Sequence, residues 1–302
     1  MKREGLGENS EFSAYHPIVN LTYYILVIGV TVFSLSPWFL AATFLLAWCY
    51  SVLLKGTAVI RMNLLFSFWI IVVMAVINVI FTHDGDTVLF YVNGNRITQE
   101  ALIFGISAAV MLCAVVIWFT SFNVIMTAEK LIYVFGRAAP VLGLTLSMIF
   151  RYIPLLKERY EEIRMGAQCM GRANKTEGRR KRRLDEMRQA GKSISILISW
   201  SLEASIENAD SMEARGYGLK GRTSFHLYRF TSRDVVMEIW LCVFGVISLA
   251  GCALNKTEAL FYPVYVVHPF DGMTAVTLVA FVLLLATPIL LDITGGMIKR
   301  KQ

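Results

Sequence analysis

Six blocks of apolar residues, each near the length of a membrane-crossing helix, dominate this chain: 19–35, 38–54, 64–81, 101–119, 235–254 and 273–291. The hydrocarbon core of a bilayer takes about 20 apolar residues to cross as a helix. It offers no water to backbone amides and carbonyls, so a segment buried in it must satisfy them internally. Blocks of this kind predict an all-α, multi-pass membrane protein with about six spans. A soluble chain would carry roughly a quarter of its residues charged, and here only 17% are charged against 56% hydrophobic.

The basic residues set the orientation, because Lys and Arg concentrate in cytoplasmic loops. Lys55 and Arg61 flank the second connection, and Lys299, Arg300 and Lys301 follow the last block. The stretch around His83, Asp84 and Asp86 is acidic, as is the loop after Cys252 with Glu258 and Asp271. Six spans with both termini in the cytoplasm satisfy all of these, and place the protein in the plasma or inner membrane. Between the fourth and fifth spans, residues 151–233 hold 18 Lys/Arg and 10 Asp/Glu, a net +8 beside a whole-chain charge of +7. This block is therefore expected in the cytoplasm. Residues 1–125 read as four spans, 126–233 as a peripheral cytoplasmic region, and 234–302 as two further spans.

Hydropathy alone would make 131–150 a seventh span and throw the basic block outside. That run contains Arg137 and Pro140, and an Arg near a helix centre costs about 2.5–3.5 kcal/mol on insertion scales. It is expected as helix packed against or partly within the membrane, without crossing it. Beyond it, Ile149, Tyr152, Ile153, Leu156, Tyr160, Ile163, Ala167 and Met170 recur at steps of three and four, the pattern of one helical face. Lys157, Glu158, Glu161, Glu162 and Arg164 occupy the opposite side, and Pro154 should kink the helix. A second stripe runs through Ile194, Ile198, Leu202, Ser205, Ala209 and Met212. The charged string GRRKRRLDEMR between the two is expected as a solvated connection. Together the two amphipathic helices predict a platform beneath the spans.

The second stripe ends in ADSMEARGYG. Gly216 stands where a helix C-terminus favours left-handed backbone, and Arg215 falls in the last turn, where a cation suits the helix dipole. A well-capped helix end explains this by itself. A docking tip is the sharper alternative that the context raises, since small neighbours let another backbone approach while a guanidinium meets a carboxylate with fork geometry.

Three segments resemble one family, the transmembrane T components (EcfT/CbiQ-like) of energy-coupling factor (ECF) transporters. These are YHPIVNLTYYI at the first span, MIFRYIPLLKERYEEIRMGAQ at 148–168, and SMEARGYGLKGRTSF at 211–225, the most specific of the three. The resemblance implies an ABC importer for vitamins or transition metals. This chain would couple two ABC-type ATPase subunits to a small membrane protein that binds the substrate. It also implies that each cytoplasmic helix ends in an Ala-Arg-Gly motif docked on an ATPase. Ala214, Arg215 and Gly216 match the second motif residue for residue. The first departs: after Ala167 and Gln168 the pattern places Arg at 171, yet Gly171 stands there and Arg172 follows. Either the helix end shifts Arg172 into that role, or this half relies less on charge.

Other features read as structural. Gly191-Lys192-Ser193 resembles the tail of a phosphate loop, but Glu186 replaces the required glycine and no strand precedes it. No nucleotide, cofactor or metal site is read, and ATP chemistry is assigned to partners. The run 179–183 suits lipid headgroups or solvent beside a bilayer better than nucleic acid. His16, His226 and His268 stand apart from any metal or catalytic set. Glu238 and Asp292 lie near span ends, where snorkelling to the interface is expected. Cys49, Cys113, Cys169, Cys242 and Cys252 form no CxxC pair, and no cleavable signal peptide is read at the N-terminus. The rival reading is a self-sufficient permease or carrier, which usually shows internal repeats; none is visible here.

Overall fold

The computed structural model describes residues 10–299 apart from 83–84, 93–94, 139, 168, 170–178, 218–227, 263–264 and 268–270. Among the described residues it contains the helices α1 (Pro17–Phe33), α2 (Pro37–Lys55), α3 (Ala58–Phe81), α4 (Gln99–Ile125), α5 (Ala128–Ala138), α6 (Pro140–Ala167), α7 (Arg179–Ala214), α8 (Ser232–Ala253) and α9 (Gly272–Lys299). Two short antiparallel hairpins join helices: β1 (Val88–Val92) with β2 (Asn95–Thr98), and β3 (Ala259–Leu260) with β4 (Val266–Val267). The fold is all-α, as the apolar blocks predict, and the hairpins are its only unanticipated elements among the described residues. The chain divides into two compact units, Met1–Leu131 with Tyr228–Gln302, and Ile132–Leu227.

The first unit is the apolar bundle. Helices α2, α3, α4, α8 and α9 are long and apolar enough to cross a membrane. The first block yields α1, a shorter helix of 17 residues, which reaches about 25 Å at 1.5 Å per residue. It stops short of Leu35 because Ser34 caps it and Pro37 opens α2 two residues later. Helix α1 is the bundle's inner element: Val19, Tyr23, Val27 and Val30 are fully buried. Around Tyr23 and Tyr24 the rings meet edge to face, with Trp118 at 6.0 Å from Tyr23, Phe122 at 5.3 Å from Tyr24 and Phe12 at 5.1 Å from Tyr23. A chain of polar groups inside this core is paired, as a dry interior favours. The Trp118 indole N–H donates to Thr43 Oγ1 at 3.2 Å, and Thr43 meets Thr31 at 3.1 Å. Helix α3 packs on α4 and α2 and turns its other side outward, where Phe68 and Trp69 are exposed.

The two ends of the bundle differ. At one end the Ser36 N–H donates to the Thr257 carbonyl at 2.9 Å, tying the α1–α2 turn to the α8–α9 connection. The opposite end gathers the N-terminal segment 10–16, the end of α4, the start of α8 and the end of α9. There Asp292 does not snorkel. It accepts the Ser10 hydroxyl at 2.9 Å and the Phe12 N–H at 3.1 Å, because the N-terminal turn brings donors to it. Asp234 closes a capping box on Thr231 and also accepts the His16 N–H at 3.0 Å. His16 is buried; its Nδ1 accepts from the Ile18 N–H and caps α1 ahead of Pro17. Lys130, 5% exposed, donates to the Ser13 carbonyl at 2.6 Å, the Ser13 hydroxyl at 3.0 Å and the Ile125 carbonyl at 3.0 Å. Burial among these uncharged oxygens pushes its ammonium down to about 8.

In the second unit, the apolar run 131–150 is broken. Helix α5 ends at Ala138 and α6 begins at Pro140, a first-turn position that needs no N–H. Neither α5 nor α6 meets the length and composition of a crossing helix. Gly136 and Gly143 meet backbone to backbone across the break: a Cβ on Gly143 would lie 2.2 Å from the Gly136 Cα. The charged string 179–188 is not a loop. It forms the first turns of α7, since Arg, Lys, Leu, Glu and Met are good helix formers and no Gly or Pro interrupts them.

Two outcomes follow. Gly143→Ala should destabilise the protein by about 1–3 kcal/mol through overpacking, lowering its thermal midpoint in detergent. Gly166→Ala, with open space around it, should not. The folded state releases the Lys130 proton before the unfolded chain does. Stability should therefore rise with pH from about 8 towards the ordinary lysine value of about 10.4. Thermal unfolding across that range should lose this slope in Lys130→Met, and an unchanged slope would disprove the assignment.

Candidate coupling interface

Helices α6 and α7, of 28 and 36 residues, extend about 42 and 54 Å and pack on each other. On α6 beyond Arg151 the half-buried positions are Tyr152, Leu156, Tyr160, Ile163 and Ala167. This is the face the periodicity predicts, and Lys157, Glu158, Glu161, Glu162 and Arg164 stand exposed. Ile149 and Ile153, at the N-terminal edge of the predicted stripe, are instead about half exposed, at 46% and 55%. Pro154 lies inside α6.

Helix α7 departs from expectation. Its inward positions are Ser193, buried, with Leu197, Ser201 and Ala204 half-buried. The predicted apolar stripe points elsewhere: Ile194, Ile198 and Leu202 are 47%, 54% and 63% exposed. Ser205 and Ala209 are exposed with them, and Ile206 extends the row. At about 100° per residue the two faces lie roughly 110° apart. Periodicity selects the greasier row, whereas close helix contact selects the smaller one. The Ser201 hydroxyl on the inner face is neutralised locally, donating to the Leu197 carbonyl at 2.7 Å.

A groove of about 400 Å³ runs between the helices, with Tyr152, Leu155 and Arg159 on one wall and Trp200, Glu203 and Glu207 on the other. The Arg159 guanidinium lies 5.5 Å from the Trp200 ring centre and 3.8 Å from Glu162. Sequence reasoning passed over this cation–π pair, because two residues 41 positions apart carry no local signal.

The far end of α7 closes as the Ala-Arg-Gly spacing suggests. Gly216 takes φ +77°. The Gly216 N–H donates to the Glu213 carbonyl at 2.9 Å and the Tyr217 N–H to the Met212 carbonyl at 3.1 Å, the paired bonds of a Schellman end. Ala214 and Arg215 are exposed, and no ion pair holds Arg215 among the described residues. Ala167 ends α6; Gln168, Gly171 and Arg172 lie outside the described residues, so one tip of the two is placed. Gly191, Lys192 and Ser193 sit within α7, which leaves no loop to cradle a phosphate. No cluster of metal-type ligands occurs among the described residues. What the arrangement offers is mechanical: long rods, a free apolar row and a rigidly ended cationic tip.

Gly216→Ala forces a Cβ into left-handed backbone and should cost about 1 kcal/mol. Amide exchange over the last turn of α7 should rise several-fold; unaltered protection there would show that the cap is not strained.

The comparisons with known proteins agree with this architecture. The family model described as CbiQ, cobalt transport protein, matches residues 9–226, from the N-terminal segment through α7. No curated protein matches the chain. With 218 of 302 residues matched (226 − 9 + 1), and with the multi-pass helical bundle above, this chain belongs to the CbiQ cobalt transport protein family.

Proposed function

We propose that this protein is the coupling subunit of an ECF-type ABC importer. Its partners are two ABC-type ATPase subunits, which hydrolyse ATP, and a small substrate-binding membrane subunit. The observation that carries the reading is the pairing on α7 of an exposed apolar row, Ile194, Ile198, Leu202 and Ile206, with an exposed arginine at a rigid helix end. A helix that keeps its most apolar face off its own chain is shaped to receive another protein or the bilayer surface.

In this reading 126–233 lies in the cytoplasm with both termini, and the bundle sits in the cell membrane. Arg215 enters a groove on one ATPase, with Ala214 and Gly216 permitting close backbone approach. Ala167, Gln168, Gly171 and Arg172 serve the other ATPase. Closure of the ATPases on ATP moves the docked tips, α6 and α7 shift with them, and the substrate-binding subunit on the apolar row tips to release its cargo inward. The family description favours a transition-metal ion, cobalt, over a vitamin as that cargo.

Removing one member of a buried interfacial ion pair costs about 2–5 kcal/mol. Arg215→Ala should thus weaken ATPase association by more than about thirtyfold while the protein still inserts in the membrane. Copurification from membranes followed by an uptake assay reads both effects. Normal uptake with the ATPases still bound rejects the docking role, and purification of a lone competent carrier rejects the coupling reading altogether.

A further inference from the structure

The chain passes between its two units twice, after Leu131 and before Tyr228. Both connections, on the bundle side, touch one short piece of chain, the N-terminal segment 10–16. On the outgoing connection, Lys130 binds the Ser13 carbonyl and hydroxyl, and it also closes on the Ile125 carbonyl at the end of α4. Asn20 joins this knot, accepting from Lys130 at 3.2 Å and donating to the Phe12 carbonyl at 3.0 Å. On the returning connection, Phe230 lies 4.8 Å from the His16 ring and Tyr228 6.4 Å from it. Asp234 accepts from both Thr231 and the His16 N–H, and the Arg233 guanidinium covers the Tyr15 ring at 5.2 Å. The segment itself is held to α9 by Asp292, through Ser10 and Phe12. The Ser10 hydroxyl also accepts the Ser13 N–H at 3.2 Å.

We propose that segment 10–16 is a clamp that fastens both connections to the end of the bundle, with Lys130, His16 and Asp292 as its positioning residues. It fixes the inner ends of the two connections to one another, so that 126–131 and 228–234 behave as one body with the end of the bundle. Buried contacts to several elements place a segment among the most stable parts of a structure. Its use in coupling rests on the reading above; its existence as a clamp does not.

The test is amide exchange on the full-length protein in lipid nanodiscs, comparing wild type with Ser10→Ala. Ser10 bonds to Asp292 and Ser13 and, among the described contacts, to neither connection. Loosening it should raise exchange several-fold in 11–16 and also in 126–132 and 228–234, with α2 and α3 unchanged. A rise confined to 11–16 overturns the clamp, as does no rise at all. Should Ser10→Ala fail to fold, Asp292→Asn, which keeps an acceptor oxygen, and Lys130→Met provide the same comparison. Lys130→Met should release both connections, and a response limited to its own connection overturns the proposal. Failure of ATPases to copurify would reject the coupling reading and leave the exchange result standing.

Discussion

A hydrocarbon interior gives a polypeptide no hydrogen-bond partners, and most of this structure is arranged around that lack. Backbone groups retreat into helices, and several polar side chains admitted to the bundle core are paired there: Trp118 with Thr43, Thr43 with Thr31, Tyr23 with the Leu285 carbonyl. Irregular backbone is confined to the ends. One end carries two small hairpins. The other gathers the charged side chains Asp292, Asp234 and Lys130 around the N-terminal segment.

The second unit follows a different rule. Its helices are not hidden, and only a narrow strip of each is covered. Packing through Ser193, Ser201 and Ala204 brings the rods close while leaving the larger apolar residues unused. A helix pair designed for its own stability would do the reverse and bury its isoleucines. Ile198, Leu202 and Ile206 are left exposed by their own chain.

Much of this was legible beforehand. Long apolar blocks announce spanning helices by composition alone, the Tyr152–Ile163 stripe announces the packed face of α6, and Gly216 announces a helix stop. The misreadings share a cause. Residues 179–188 looked like a loop because charge was weighed above helix propensity. The inward face of α7 was missed because small polar residues score as surface, although their hydroxyls bond back to their own helix. Asp292 was assigned to the interface because its partners, Ser10 and Phe12, lie 282 and 280 positions away. Long-range pairing of this kind leaves no trace in local pattern. The tip after α6 belongs to residues 168–178, most of which are not described, so its arginine stays a matter of sequence.

One consequence of the α7 terminus concerns what its arginine is free to do. The last carbonyls of a helix are hungry acceptors, and a nearby guanidinium often ends up feeding them. Here the amides of Gly216 and Tyr217 already occupy the Glu213 and Met212 oxygens. The exposed guanidinium of Arg215 is thus left to offer its N–H groups to a second molecule, from a backbone whose turn is already set.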